Sequence, residues 1–191
     1  MRRLSGLGRI VALRGLVALV VGATLSVACD NAASPKSAAD EKAGAQAADF
    51  TTRDIEGNTF RLSDHLGKKV ILLDFWSTFC QPCMAEFPHL NRLYQENKAK
   101  GFVVVGISMD GPETVADVPS FAKRNGVTFP VVLDEDSRIA SLYNPRKSAP
   151  LAVLIGKDGK VHAIREGYNP GDEEHLAADV AKVLDPAPAS P

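Results

Sequence analysis

The chain has 191 residues, 45% of them hydrophobic, with 22 Lys and Arg against 23 Asp and Glu. That length supports one domain with a substantial core and leaves little for a second. Balanced charge excludes the basic footprint of a nucleic-acid binder and the long acidic run of a solvating tail.

In chain order, Arg2, Arg3, Arg9 and Arg14 make a positive leader, and the 14 residues from Gly15 to Ala28 contain no charge and no Pro. That run is short for a membrane span and suits the apolar region of a signal, so residues 1–28 are read as a signal peptide. Ser26-Val27-Ala28 supplies small residues before a cleavage point, which would leave Cys29 as residue one. The arrangement resembles a bacterial lipobox and implies a diacylated Cys29, although Ser26 stands where that motif prefers Leu, Val or Ile. Ordinary cleavage leaving a free thiol is the alternative, and either reading takes the domain across the inner membrane. Without residues 1–28 the chain keeps 18 basic and 23 acidic side chains, a net charge of −5.

Residues 29–48 carry no large apolar side chain after Cys29 and are read as a flexible tether. Residues 185–191 form a Pro/Ala tail, which leaves 49–184 as the folded domain. Phe50-Thr51 and Asn58 to Leu62 flank Glu56-Gly57 and predict a hairpin. Val70 to Trp76 and Phe102 to Ser108 are near-continuous apolar runs, the pattern of strands buried on both faces. Between them, Pro82 to Lys100 places Phe87, Leu90, Leu93 and Tyr94 on one helical face, with Pro88 expected to kink it. Val115 to Asn125 reads as a helix, Phe129 to Leu133 as a strand and Ser137 to Tyr143 as a short helix. Leu151 to Ile155 and Lys160 to Arg165 read as strands joined across Asp158-Gly159, and Gly171 to Leu184 as a closing helix. The expected class is α/β, a central mixed sheet flanked by helices on both sides.

Cys80 and Cys83 carry the chemistry. Their spacing at a helix start lets the sulfurs meet, as a redox couple or as half of a metal site. A structural zinc wants four ligands, and no second Cys pair or His pair at ligand spacing exists: His65, His89, His162 and His175 are scattered. No metal is therefore expected, and thiol exchange needs no cofactor. Cys80 at the helix N-terminus is favoured as thiolate, and Cys83, one turn in, is the shielded resolving thiol. Pro82 costs little in a first turn, and Gln81-Pro82 tunes the potential. Asp134-Glu135-Asp136 is read as a solvated acidic turn, because Ile139 occupies the place where a calcium loop needs Gly.

Leu73-Asp74-Phe75-Trp76-Ser77-Thr78-Phe79-Cys80-Gln81-Pro82-Cys83-Met84-Ala85-Glu86-Phe87-Pro88 resembles the active-site segment of the membrane-associated thiol–disulfide oxidoreductases of the TlpA/ResA group, in the thioredoxin superfamily. The resemblance continues through Phe129 to Asp134, Pro150 to Ile155 and Asp158-Gly159-Lys160. It implies a thioredoxin-like fold with an N-terminal β-hairpin and an inserted strand–helix unit at roughly 111–143. It further implies that Pro150 is a cis-proline beside the pair, preceded by an unusually small Ala149, and that Glu86 is an active-site acid. Asp74 aligns with the buried acid of thioredoxin itself, where it could shuttle the proton of Cys83. Trp76 is expected to pack beside the pair, and Phe79 replaces a common Trp on the docking surface. The implied partners are client proteins with disulfides, apocytochrome c among them, and a membrane electron donor. The chain is read as a monomer. Arg146 and Lys147, close before Pro150, could contact an acidic client, and a solvated loop is the alternative reading.

Two other readings compete. A peroxiredoxin-like peroxidase shares much of the fold, but its signature wants Pro seven residues before the nucleophile, where Leu73 stands. A copper-handling thiol protein wants its Cys four apart with a distal His, and this pair is three apart.

Overall fold

The computed structural model describes residues 44–186. The signal peptide, Cys29, residues 29–43 of the tether and the last five residues lie outside them.

The two apolar runs become the central strands. β3 (Val70–Trp76) and β4 (Phe102–Ser108) are buried along their whole length and pair in parallel. With β1 (Thr51–Arg53), β2 (Thr59–Arg61), β5 (Val131–Leu133), β6 (Leu151–Ile155) and β7 (Val161–Glu166), the chain forms a two-stranded hairpin and a five-stranded sheet of order β5-β4-β3-β6-β7. β5 is parallel to β4, whereas β6 and β7 return antiparallel. This mixed sheet is the one expected of the thioredoxin fold.

Strand alternation sorts the core into two layers. Val70, Leu72 and Trp76 face α1 (Gln81–Asn97), α2 (Val118–Arg124) and α4 (Asp172–Leu184), packing against Phe87, Leu90, Val118, Leu176 and Val180. Ile71, Leu73 and Phe75 face the other side, where α3 (Arg138–Tyr143) contributes Ile139, Ala140 and Tyr143, and the N-terminal segment contributes Phe50 and Leu62. The insertion supplies α2 and the edge strand β5. The hairpin β1–β2 then lies against that edge: Thr52 Oγ1 donates to the Leu133 carbonyl at 2.5 Å and the Ile55 N–H to the Val131 carbonyl at 3.1 Å.

Element boundaries shift where Pro and positive φ intervene. Residues 115–117 form a 3-10 turn, and α2 begins only at Val118 with Pro119 in its first turn. β5 begins after Pro130, which has no N–H to give but whose carbonyl accepts from Gly106. Pro88 sits inside α1, which runs to Asn97 and ends through a 3-10 turn at left-handed Gly101. The largest departure is at residues 44–48, read from composition as tether. The Gly44 N–H donates to the Val161 carbonyl, the Ala47 N–H donates to the Gly159 carbonyl, and Ala47 is buried. A segment without large side chains can still dock through its backbone.

Candidate active site

The Cys80–Cys83 pair sits where β3 ends. Ser77 to Cys80 close a turn through the Cys80 N–H and the Ser77 carbonyl, and α1 starts at Gln81 with Pro82 in its first turn. Cys80 is the N-cap: the Cys83 N–H donates to its Sγ at 3.2 Å. The two cysteines are joined as a disulfide, with Cα atoms 5.3 Å apart. Cys80 retains 8% exposure and Cys83 1%, so an approaching thiol can reach only the first. Gln81 and Pro82 are exposed, and Phe79 presents its ring to solvent at 75% exposure.

The pair rests on aromatic and acidic neighbours. Trp76 is fully buried in the same core layer as both cysteines, edge-on to Phe87 at 5.2 Å and stacked on Phe121 of the inserted helix at 5.7 Å. Gly106 leaves room for it, since a Cβ there would sit 3.0 Å from Trp76 Nε1 and 3.0 Å from Phe129. On the other side Asp74 shares the strand face of Leu72 and Trp76, opposite Ala152 of β6. Glu86 lies one helical turn beyond Cys83 and turns toward the same interior. Both carboxyls are buried, and Asp74 Oδ1 and Glu86 Oε2 have no hydrogen-bond partner.

Such carboxyls resist ionisation. Burial pushes Asp74 up to about 7. Burial pushes Glu86 up to about 9, helped by the negative charges of Asp74 and Asp172. Because ionising one raises the cost of ionising the other, the pair keeps at least one proton at neutral pH. Glu86 also lines a cleft of about 210 Å³ with Pro150, Ala152, Tyr168 and Asp172. At its mouth the Tyr168 hydroxyl donates to Glu173 at 3.0 Å.

The Ala149–Pro150 peptide is cis, Ala149 is half-buried against the core layer of the cysteines, and the Pro150 carbonyl accepts from the Gly167 N–H at 2.8 Å. The approach to Pro150 is held by Asn144, a buried residue that sequence reasoning passed over: its Nδ2 donates to the Ser148 carbonyl at 2.7 Å, and the Ser148 N–H donates to its Oδ1 at 2.9 Å. Arg146 is not simply solvated, since it pairs with Glu166, which also accepts from Ser148. Asp134 is buried rather than part of a solvated acidic turn. It accepts the N–H groups of Ile139 and Ala140, which fastens the start of α3. Sequence reasoning also missed Asp110, a buried acid that accepts from Thr78. Among the described residues no group of His, Cys, Asp or Glu is arranged to hold a metal ion.

Residues 43–164 match the AhpC/TSA family. The chain belongs to that family, as a ResA-like thiol–disulfide oxidoreductase. It is 39% identical over 124 residues to the thiol-disulfide oxidoreductase ResA of Geobacillus kaustophilus (strain HTA426), covering 65% of this chain and 69% of the relative. With ResA of Halalkalibacterium halodurans it shares 32% identity over 145 residues, 76% of this chain and 78% of the relative. Among solved structures, a DsbE-assigned thiol:disulfide interchange protein from Chlorobium tepidum superposes with a TM-score of 0.69 at 34% identity, covering 75% of this chain and 98% of that one. A secreted Mycobacterium tuberculosis disulfide oxidoreductase homologous to E. coli DsbE gives 0.59 at 27% identity, over 69% and 94%. The fold is thioredoxin-like, and the activity is exchange between thiols and disulfides.

Proposed function

We propose that the enzyme is a disulfide reductase working outside the cytoplasm on protein disulfides, those of apocytochrome c during cytochrome c maturation among them. Cys80, having given its proton to solvent, attacks a client disulfide as the thiolate, a new Cys80–client S–S bond forms, and the departing client thiolate takes up a proton from solvent. The Cys83 thiol then gives up its proton and attacks Cys80 Sγ, releasing the second client thiol and leaving the Cys80–Cys83 disulfide. Two electrons and two protons pass to the client, and a membrane dithiol donor restores the pair.

The observation that carries this reading is the unequal setting of the two sulfurs. Cys80 caps α1 and accepts the Cys83 N–H, an arrangement that favours a thiolate. Cys83 is enclosed and needs an internal base. Asp74, raised by burial to titrate near neutrality, suits that role, and its charge in turn pushes Glu86 higher. Pro150 and Ala149 frame the groove in which client backbone would lie, with Trp76 behind the pair and Phe79, Gln81 and Pro82 on the docking face.

Location follows from the leader. Cleavage before Cys29 with lipidation would tether the domain to the periplasmic face of the inner membrane. No helix among the described residues is long and apolar enough to cross a membrane. The decisive experiment is trapping. A Cys83→Ser enzyme should hold clients as mixed disulfides on Cys80, and recovery of cytochrome c precursors would support the maturation role. Capture restricted to other exported proteins would reject it.

A further inference from the structure

The turn that carries Cys80 is fastened from outside its own strand and helix, by Asp110 just beyond the end of β4. Asp110 is 3% exposed, and both its carboxylate oxygens accept. The Thr78 N–H donates to Oδ2 at 3.0 Å and the Thr78 hydroxyl to Oδ1 at 2.5 Å. The Ser108 hydroxyl donates to Oδ2 at 2.9 Å and the Thr114 hydroxyl to Oδ1 at 3.0 Å. Thr78 is the centre of the Ser77–Cys80 turn, two residues before the nucleophile. Ser108 is the last residue of β4, paired with Trp76 of β3. Thr114 belongs to the first turn of the insertion, whose Thr114 and Val115 N–H groups donate to the Gly111 carbonyl. One carboxylate thus ties the active-site turn, the end of the neighbouring strand and the insertion.

We propose that Asp110 is a positioning residue for the exchange reaction: through Thr78 it holds the Cys80 turn so that the nucleophilic sulfur stays on the Cys83 N–H at the start of α1, and through Thr114 it makes that turn depend on the inserted segment. This rests on Cys80 being the nucleophile, as proposed above. Without it, four donors, one on buried Ser108 and three on half-buried Thr78 and Thr114, would lose their charged acceptor and let the turn relax into other conformers. Relaxation would carry the sulfur away from the helix N-terminus, and the thiolate would lose its stabilising donor.

The sign of the effect separates this role from simple charge. Removing a negative charge near a thiol lowers the thiol pKa, whereas freeing the turn raises it. Thr78→Val is cleaner still, because it removes the hydroxyl bond and alters no charge. The other titratable groups beside the pair, Asp74 on β3 and Glu86 on α1, are unchanged in these variants.

The test is the pH profile of iodoacetamide alkylation of the reduced full-length enzyme, with the labelled cysteine mapped by mass spectrometry. Asp110→Asn, Thr78→Val and Thr114→Val are compared with Asp134→Asn, a buried Asp whose side chain fastens α3 through the Ile139 and Ala140 N–H groups and makes no hydrogen bond to the Cys80 turn. Asp110→Asn and Thr78→Val should shift the Cys80 profile to higher pH and slow alkylation at pH 7 by ~10-fold, with a smaller shift for Thr114→Val. Asp134→Asn should lower Tm and leave the profile in place. Should Asp110→Asn fail to fold, Thr78→Val decides alone. A Cys80 profile that stays put in Thr78→Val, or moves to lower pH in Asp110→Asn, overturns the positioning role. Label landing first on Cys83 in the wild-type enzyme would instead overturn the nucleophile assignment on which the inference rests.

Discussion

Asp74→Asn should make the oxidised protein more stable at alkaline pH and a poorer enzyme. The substitution keeps the shape of the side chain and removes its ability to ionise. A carboxyl titrating at about 7 in the fold instead of the usual 3.8 binds its proton more tightly when folded, so stability falls as pH rises through that interval. At about 1.4 kcal/mol per tenfold change in proton affinity, full ionisation costs the folded state about 4 kcal/mol. Water penetration and sharing of the proton with Glu86 reduce this, so about 2–4 kcal/mol is expected, or roughly 10 °C in Tm for a domain of this size. The penalty begins near pH 4, where the unfolded carboxyl ionises, and is complete above the folded pKa. Urea unfolding of the oxidised wild type and variant at pH 5 and pH 8 measures it. Other groups cancel in the difference, including His65, whose pKa burial lowers and which therefore changes stability in the opposite sense as pH rises. The gain should be larger at pH 8 than at pH 5, while steady-state reduction of an insulin disulfide slows. A variant less stable than wild type at pH 8, or a gain independent of pH, would refute the assignment of Asp74 as a buried, reluctantly ionised acid.

Cys80→Ser should abolish insulin reduction, leaving activity down by more than ~10³-fold, since Cys83 is enclosed; retained activity in a turbidity assay would remove the nucleophile role. Gly106→Ala should destabilise the domain by about 1–3 kcal/mol, because its Cβ would meet Trp76 and Phe129 at 3.0 Å. Chemical denaturation with Trp fluorescence reads that loss, and a neutral result would mean the aromatic pocket is more yielding than its packing implies. Glu86→Gln should leave the pH at which Asp74 ionises in place, because Glu86, pushed up to about 9, is still neutral where Asp74 titrates; the pH dependence of the resolving step, followed by quenched flow, should not move, and a shift to lower pH would mean that Glu86 carries charge near neutrality. Mass spectrometry of membrane-extracted protein should find a diacylglyceryl group on Cys29, and a bare Cys29 or Asp30 terminus would rule out the anchor.

What sequence determines here is local. Val70 to Trp76 reads as a buried strand because an apolar run has few other places to go, and Cys80-Gln81-Pro82-Cys83 reads as a helix start because N-cap chemistry spans only a few residues. Alternation puts Asp74 on the face of Trp76, and helical spacing puts Glu86 behind Cys83, each from residues at hand. That those two faces meet, leaving one oxygen of each carboxyl without a partner in one interior, is decided only when α1 docks on the sheet. The same holds for Asp110: in the sequence it is one acid after a strand, and its donor Thr78 lies 32 residues earlier. Residues 44–48 could not be placed from composition either, because their attachment is by backbone to Gly159 and Val161 and leaves no side-chain signature. Burial and long-range hydrogen bonding turn the motif into a site: the position of the Cys80–Cys83 pair is local, whereas the proton affinities and the clamp around it exist only in the tertiary structure.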